Sequence, residues 1–250
     1  MDALPIDEVD YAKYDPDDLA EFFECHYRER NRPLVIRGAA LRWPALDKWT
    51  FDYLAQKCGS TNVPCMVFGG PRSMVVPIPA DEALRRISDG GNLYISLATI
   101  TPVDGEASLP MLMDDCEFPT LISTKSSKAL TAFIGRDSFA PLHHHGGSPP
   151  ERIIEAIKTQ LVGTKTAVLF PPNSEFPFSR IQFKEWLSDR QQVLERYPRL
   201  RELPSHQSDL APGDMLFIPA YWWHCFFGHE TSMSATCFWK DSKPSAMPNT

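Results

Sequence analysis

Beyond residue 120, the sequence consists mostly of short apolar runs, and this pattern limits the fold more than any other feature. The runs cover residues 130–134, 139–143, 154–161, 164–170, 215–218 and 233–239. Runs of this length that are separated by turn residues predict β-strands. The 23 prolines among the 250 residues also favour loops and short strands over long helices. The second half of the chain is therefore predicted to form a β-sandwich or barrel.

The first 120 residues combine helices with strands. Apolar residues at helical spacing, Leu19, Phe22, Phe23 and Tyr27, predict a helix that opens at Asp15. Further helices are predicted at about 50–58 and 81–87, strands at 33–38, 63–68 and 92–96, and a polar helical insert at 183–197. The fold class is thus α+β and mainly β. A single domain is expected over residues 1–250, with an N-terminal part at 1–120, a barrel core at 121–240 and a frayed tail at 241–250.

Composition excludes several classes of protein. The net charge of -7 and the sequence pI near 5.5 argue against a protein whose main partner is nucleic acid. The six cysteines form no Cys-x-x-Cys pair, and the first residues lack the pattern of a signal peptide. No apolar run approaches the length of a membrane span. These features predict a cytoplasmic protein with reduced thiols and no membrane association.

Histidines supply the strongest functional signal. His143, His144 and His145 are consecutive, and His224 follows the apolar run at 215–218. Because alternate residues of a strand share one face, His143 and His145 can reach one ion while His144 points away. Imidazole is the commonest metal ligand near neutral pH, and a third ligand from a distant strand completes one face of an iron site. The sequence therefore predicts a metal centre at His143, His145 and His224.

Three blocks of sequence resemble a known family. They are residues 33–38 with Trp43-Pro44; residues 133–135, 140–143 and 160–172; and residues 210–224 with 234–239. In order and spacing they are similar to the cupin-like JmjC oxygenases of the factor-inhibiting-HIF type. The resemblance implies a double-stranded β-helix (a jelly-roll or cupin barrel) that binds Fe(II), with 2-oxoglutarate as co-substrate and dioxygen as oxidant.

The resemblance also implies roles for individual residues. His143 corresponds to the proximal iron ligand and His224 to the distal one. Lys165 matches the lysine that grips the distal carboxylate of 2-oxoglutarate, and a buried lysine requires an anion. Cys237 and Trp239 fall at positions near the co-substrate.

The chain departs from the family pattern in its third ligand and in two contacts. His145 stands where the family has a carboxylate, which changes the net charge of the site by one unit. Ala140 replaces a threonine and Cys237 an asparagine. Glu151 or Glu155, in or next to an insertion before Lys165, is an alternative third ligand. A shifted frame is another alternative, with His144 as the proximal ligand and Gly146 in the carboxylate position.

Three functions remain in competition. The first is an Fe(II)- and 2-oxoglutarate-dependent oxygenase that hydroxylates a C–H bond of a protein side chain or a small molecule. The second is a three-histidine iron dioxygenase that does not use 2-oxoglutarate, which the changes at Ala140 and Cys237 favour and Lys165 disfavours. The third is a catalytically inactive JmjC-like binding protein, which the altered third ligand motivates. The sequence leaves the substrate and the oligomeric state open.

Overall fold

The computed structural model describes residues 3–67, 74–102, 105–122, 127–145, 154–174, 176 and 188–240. Strands outnumber helices in this part of the chain. The strands are β1 Leu4–Pro5, β2 Glu8–Asp10, β3 Leu34–Arg37, β4 Asn62–Val67, β5 Met74–Pro79, β6 Leu93–Thr99, β7 Ser127–Arg136, β8 Phe139–His143, β9 Glu155–Phe170, β10 His206–Leu210, β11 Met215–Ile218 and β12 Trp223–Lys240. The α-helices are α1 Pro16–Phe23, α2 Ala45–Lys48, α3 Phe51–Cys58, α4 Ala80–Ser88 and α5 Arg190–Arg196.

Two long strands, β9 and β12, connect the two layers of the barrel. In one layer the first half of β9 pairs with β11 and with the second half of β12, which also pairs with β7. In the other layer the second half of β9 pairs with β10 and with the first half of β12, which also pairs with β8. Strands β6, β4 and β5 extend the first layer at its edge. The predicted double-stranded β-helix is confirmed.

The strand boundaries differ from the prediction where the chain turns from one layer to the other. The runs at 154–161 and 164–170 form one strand that bends at Gly163, where φ is 64°. A Cβ atom at Gly163 would collide with the carbonyl oxygen of Thr231, so the close approach of β12 requires glycine. The run at 233–239 is likewise the second half of β12, which bends at Glu230.

The strand β5 was not predicted, because Pro77 and Pro79 interrupt its pattern. It lies at the end of the sheet order, where the missing proline N–H groups cost no ladder hydrogen bonds.

The predicted helices are present on the outside of the first layer. Helix α1 begins with Pro16 in its first turn, buries Leu19 and Phe23, and continues as a π-helix over Glu24–Arg28 that buries Tyr27. Helices α3 and α4 match the predictions at 50–58 and 81–87. The described part of the predicted insert contains α5, while residues 183–187 and the tail at 241–250 lie outside the described residues. None of the helices described is both long and apolar enough to cross a membrane.

A separate apolar cluster fills the space between the two layers. It combines residues from both sheets, namely Ile6, Val35, Ala156, Ala167, Leu169, Leu210, Leu216, Ile218, Trp222 and Phe226. On β9 the inward positions are therefore Ala156 and, by the two-residue period, Lys158 and Gln160. Lys158 and Gln160 therefore share the interior with this apolar cluster.

Candidate metal centre

Two neighbouring strands bring distant histidines together. His143 is the last residue of β8 and is paired directly with His224, the second residue of β12. Opposed residues of an antiparallel pair project from the same face of the sheet. His145 follows two positions later, and its carbonyl oxygen accepts a hydrogen bond of 2.9 Å from the backbone N–H of Tyr221. This bond ties the end of β8 to the segment that precedes His224.

The three imidazoles of His143, His145 and His224 form a compact cluster. Their ring centroids are separated by 4.3 Å for His143 and His224, 4.5 Å for His145 and His224, and 5.3 Å for His143 and His145. One ring nitrogen from each lies within 4.8 Å of the other two. This donor set fits three ligands on one face of a divalent metal ion. The structure thus brings the three predicted residues together, and their role as ligands stays a prediction.

His144 does not belong to this cluster. Its ring makes an edge contact with Trp223 at 4.5 Å and lies 6.2 Å from the ring of Tyr221. The shifted frame with His144 as proximal ligand therefore has no support from the geometry, because neighbouring strand residues face opposite sides. The other residue of that alternative, Gly146, lies outside the described residues.

Backbone carbonyls orient two of the rings. Nδ1 of His143 donates to the carbonyl oxygen of Pro141 at 2.7 Å, and Nδ1 of His224 donates to the carbonyl oxygen of Trp222 at 2.8 Å. A carbonyl only accepts, so the proton is on Nδ1 and the lone pair is on Nε2. Hydrogen bonds of this kind set the tautomer in which histidines bind metals.

Burial disfavours the charged form of two of these imidazoles. It lowers the pKa of His145 to about 3, with further contributions from the charges of His143, Lys158 and His144. Burial also holds the pKa of His224 well below its usual value, aided by His143 and His145. Neutral imidazole is the form that coordinates a metal. Nδ1 of His145 is buried and has no hydrogen-bond partner among the described residues, and a metal ion would satisfy such a nitrogen.

The described part of the chain contributes no carboxylate to the cluster. Glu155, an alternative third ligand, is 2% exposed and accepts a hydrogen bond of 2.8 Å from Nε of Arg28. It lies on the outward side of β9, next in sequence to the inward Ala156. The expectation that Glu155 might fold into the site is corrected, because its carboxylate ties the π-helix to the barrel. Glu151 lies outside the described residues.

Removal of the buried Arg28–Glu155 ion pair is expected to destabilise the fold strongly. We expect Glu155→Ala to lower the free energy of unfolding by about 3–5 kcal/mol, because it removes the buried carboxylate that pairs with the guanidinium of Arg28. Glu24→Ala removes a half-exposed carboxylate that also pairs with Arg28, and it should cost less than about 1 kcal/mol. Urea denaturation of both variants measures the difference. Equal losses would contradict the importance of the buried pair.

Two lysines enter the interior from β9. Lys165 is 1% exposed, and its Nζ donates to Oγ of Ser234 at 3.2 Å. Lys158 is 4% exposed, and its Nζ donates to the same Oγ at 3.2 Å and to Oγ1 of Thr236 at 3.0 Å. Burial lowers the pKa of Lys165 to about 7. Burial also holds the pKa of Lys158 well below its usual value, and the charge of Lys165 adds to this effect.

The structure places Cys237 and Trp239 away from these lysines. Ser234 and Thr236 point inward, so the alternating residues Cys237 and Trp239 point outward into the core beneath the helices. Burial raises the pKa of Cys237 to about 12, and Trp239 stacks on Phe217 at 6.0 Å. The expectation that these two side chains contact a co-substrate is therefore corrected. The inward position between them is Phe238, whose ring lies 5.0 Å from that of His145.

A cavity of about 370 Å³ opens beside the histidines. His143 and His145 form part of its wall, and the remaining lining is mainly apolar: Met66, Tyr94, Ser96, Leu97, Phe133, Ala140, Pro141, Ile154 and Phe238. Leu97 is 54% exposed and has φ of 58°, an uncommon conformation for a non-glycine residue, at an irregularity in β6. Irregular backbone of this kind is common beside functional sites.

Several residues of the interior were not predicted from the sequence as site residues. Lys158, Ser234, Thr236 and Tyr94 lie in predicted strands, but none was identified as a site residue. The available signal was a lysine in the middle of the run at 154–161, where every neighbour at one- or two-residue spacing is uncharged. A charge inside an apolar strand is costly and indicates a partner or a function.

Comparisons with known proteins agree with the fold. The family model described as a cupin-like domain matches residues 19–245. Human tRNA wybutosine-synthesizing protein 5 is 25% identical over 242 residues, which cover 88% of this chain and 75% of that protein. Lysine-specific demethylase 8 of Xenopus tropicalis is 23% identical over 238 residues, covering 88% and 50%. Jumonji C domain-containing protein 5 of Drosophila melanogaster is 23% identical over 252 residues, covering 92% and 60%.

The match extends over both layers of the barrel and over the three clustered histidines. It also covers the helices that pack on the outside of the first layer. Its relatives include proteins named for the JmjC domain, in agreement with the resemblance noted from the sequence blocks. The chain belongs to the cupin-like domain family, of the JmjC type.

Proposed function

We propose that this protein is an Fe(II)- and 2-oxoglutarate-dependent oxygenase that hydroxylates a C–H bond. The observation that carries the proposal is the cluster of three imidazoles, with ring nitrogens within 4.8 Å of one another, in a barrel whose interior also holds Lys165. When bound, iron(II) and 2-oxoglutarate supply, with dioxygen, the oxidising chemistry. The chain supplies binding, orientation and a site that excludes water.

Each group of residues has one task in this function. His143, His145 and His224 bind the metal through nitrogens that the carbonyls of Pro141 and Trp222 help to orient. Lys165 holds the distal carboxylate of 2-oxoglutarate, which in turn compensates its buried charge. The apolar cavity beside His143 and His145 receives the substrate and keeps water from the reacting atoms.

The apolar lining of the cavity and the net charge of the chain favour a small molecule or a peptide side chain as substrate. The cavity wall is mainly apolar, and the net charge of -7 disfavours a phosphate backbone as the main binding partner. One relative is named for tRNA modification and another for lysine demethylation. The six unpaired cysteines favour a reducing compartment such as the cytoplasm.

A direct test uses the absorption of the metal complex. We expect anaerobic addition of Fe(II) and 2-oxoglutarate to give a visible metal-to-ligand charge-transfer band, because the co-substrate chelates the metal held by the histidines. His144→Ala is the matched control and should keep the band, since His144 contacts Trp223 instead of the cluster.

The same experiment separates the competing functions. Tight iron binding without a band would favour the three-histidine dioxygenase that does not use 2-oxoglutarate. That second candidate is motivated by the all-imidazole donor set among the described residues and by Ala140, which has no hydroxyl to offer the co-substrate. Absence of iron binding would favour a JmjC-like binding protein without catalysis.

A further inference from the structure

Lys158 is a second buried cation that the proposed function does not use. Its Nζ is surrounded by two hydroxyls, Ser234 and Thr236, and by two aromatic rings. The nitrogen lies 4.2 Å from the ring centroid of Phe133 and 4.8 Å from that of Phe226. Hydroxyls and ring faces stabilise an ammonium in part, but they carry no full negative charge.

Among the described residues, neither lysine has an acidic partner. No ion pair forms between Lys158 or Lys165 and any carboxylate of the described residues. A buried charge without a counterion is strongly unfavourable, and two such charges side by side are more so. The arrangement therefore destabilises the free protein unless an anion enters the barrel.

One oxygen atom joins the two lysines. Both Nζ atoms lie 3.2 Å from Oγ of Ser234, so they are separated by at most twice that distance. The two oxygens of a carboxylate can each accept from a different ammonium at such a separation. A single carboxylate placed near Ser234 therefore satisfies both lysines.

Lys158 also lies close to the histidine cluster. One aromatic ring connects the two, because the ring centroid of Phe226 lies 4.8 Å from Nζ of Lys158 and 5.8 Å from the ring centroid of His224. Three neutral imidazoles bring no negative charge to a bound divalent metal, so the ligand must supply it. The metal and the two buried lysines together require more than one negative charge, which an acid with more than one carboxylate supplies.

We propose that Lys158 is an anion-binding residue, which together with Lys165 clamps one carboxylate of a small dicarboxylic acid at Ser234. This inference rests on the proposed function only in taking Lys165 as a carboxylate site. Binding of the acid at the two lysines requires neither metal nor oxygen. The anion site can therefore be absent while the metal centre is present, and the metal centre can be absent while the anion site is present.

The test measures the binding of glutarate to the metal-free, full-length protein by calorimetry. Glutarate has both carboxylates of 2-oxoglutarate and lacks the oxo group that chelates a metal. We expect Lys158→Met and Lys165→Met each to weaken binding at least tenfold. Lys128→Met is the matched control, because Nζ of Lys128 also lies over a ring, that of Phe118, but on the outward side of the barrel. It should bind glutarate as the wild type does.

A structural role for Lys158 gives the opposite signature. If Lys158 served only to join Ser234 and Thr236, Lys158→Met would lower the melting temperature and leave glutarate affinity unchanged. The anion clamp instead predicts a higher melting temperature in the absence of ligand, together with the loss of glutarate-induced stabilisation. Lys158→Gln, which keeps an N–H donor and removes the charge, should show the same loss of affinity. Wild-type affinity in both Lys158 variants would overturn the proposal.

Discussion

His224→Ala is expected to weaken metal binding by more than about a hundredfold. Removing an outer partner of a ligand already costs roughly 10–100-fold in affinity, and His224 is expected to be a ligand itself. It is 1% exposed and is paired across the strands with His143, so its ring is fixed inside the cluster. Equilibrium dialysis against Fe(II) under anaerobic conditions measures the change.

The control for this variant is His144→Ala. His144 precedes a predicted ligand in sequence but faces Trp223, so its removal should change metal affinity less than threefold. Circular dichroism of both variants checks that the barrel remains folded. Iron affinity in His224→Ala that equals that of the wild type would remove the basis of the metal centre and of the proposed oxygenase.

Lys165→Met should abolish most of the affinity for 2-oxoglutarate while leaving Fe(II) affinity nearly unchanged. The variant removes the ammonium that is expected to bind the distal carboxylate, and Lys165 is not among the three residues of the histidine cluster. We expect a loss of 2-oxoglutarate affinity of at least a hundredfold, on the scale of a lost buried charge pair. Titration of the charge-transfer band with 2-oxoglutarate gives this value.

The same variant should be more stable than the wild type when no ligand is bound, and the gain depends on pH. The pKa of Lys165 falls from 10.5 to about 7 on folding, so the unfolded chain binds more protons between these two values. Burial of the ammonium lowers the free energy of unfolding by its full amount below pH 7. This loss becomes smaller as the pH rises and is absent above pH 10.5. The groups nearest to Nζ are Lys158, Ser234 and Tyr94. Burial raises the pKa of Tyr94, which therefore stays neutral throughout this range.

Comparing the melting temperatures of Lys165→Met and the wild type at pH 6 and pH 9 measures this dependence, because groups far from position 165 cancel. Lys158 does not cancel, but its release from the charge of Lys165 changes the stability in the same direction. The advantage of the variant should be on the order of a few kcal/mol at pH 6 and smaller at pH 9. An advantage that grows with pH would contradict the assignment of a buried, titrating Lys165.

The sequence predicted the histidine cluster because the cluster follows from simple periodicities. His143 and His145 share a face because they are two residues apart on a strand. The block that ends at His224 resembles a family in which the histidine at this position lies beside the one that corresponds to His143. The barrel was predictable for the same reason, since short apolar runs that are bounded by turns specify strands.

Residues on β12 were harder to assign. Cys237 and Trp239 were expected near the co-substrate, but the register against β7 and β9 turns them outward and turns Thr236 and Phe238 inward. The alternation is visible in the sequence, whereas the choice of face depends on pairing partners that are distant along the chain. Lys158 was missed for a related reason, because its importance depends on Ser234, which approaches it only across the sheet.

Because β12 is continuous, it links the two ends of the interior mechanically. His224 lies near its beginning, and Ser234 and Thr236 lie beyond the bend at Glu230. The separation between the histidine cluster and the lysine pair is therefore set by one backbone. In the proposed complex this separation fixes the length of the diacid, so we expect diacids one carbon shorter or longer than 2-oxoglutarate to bind more weakly.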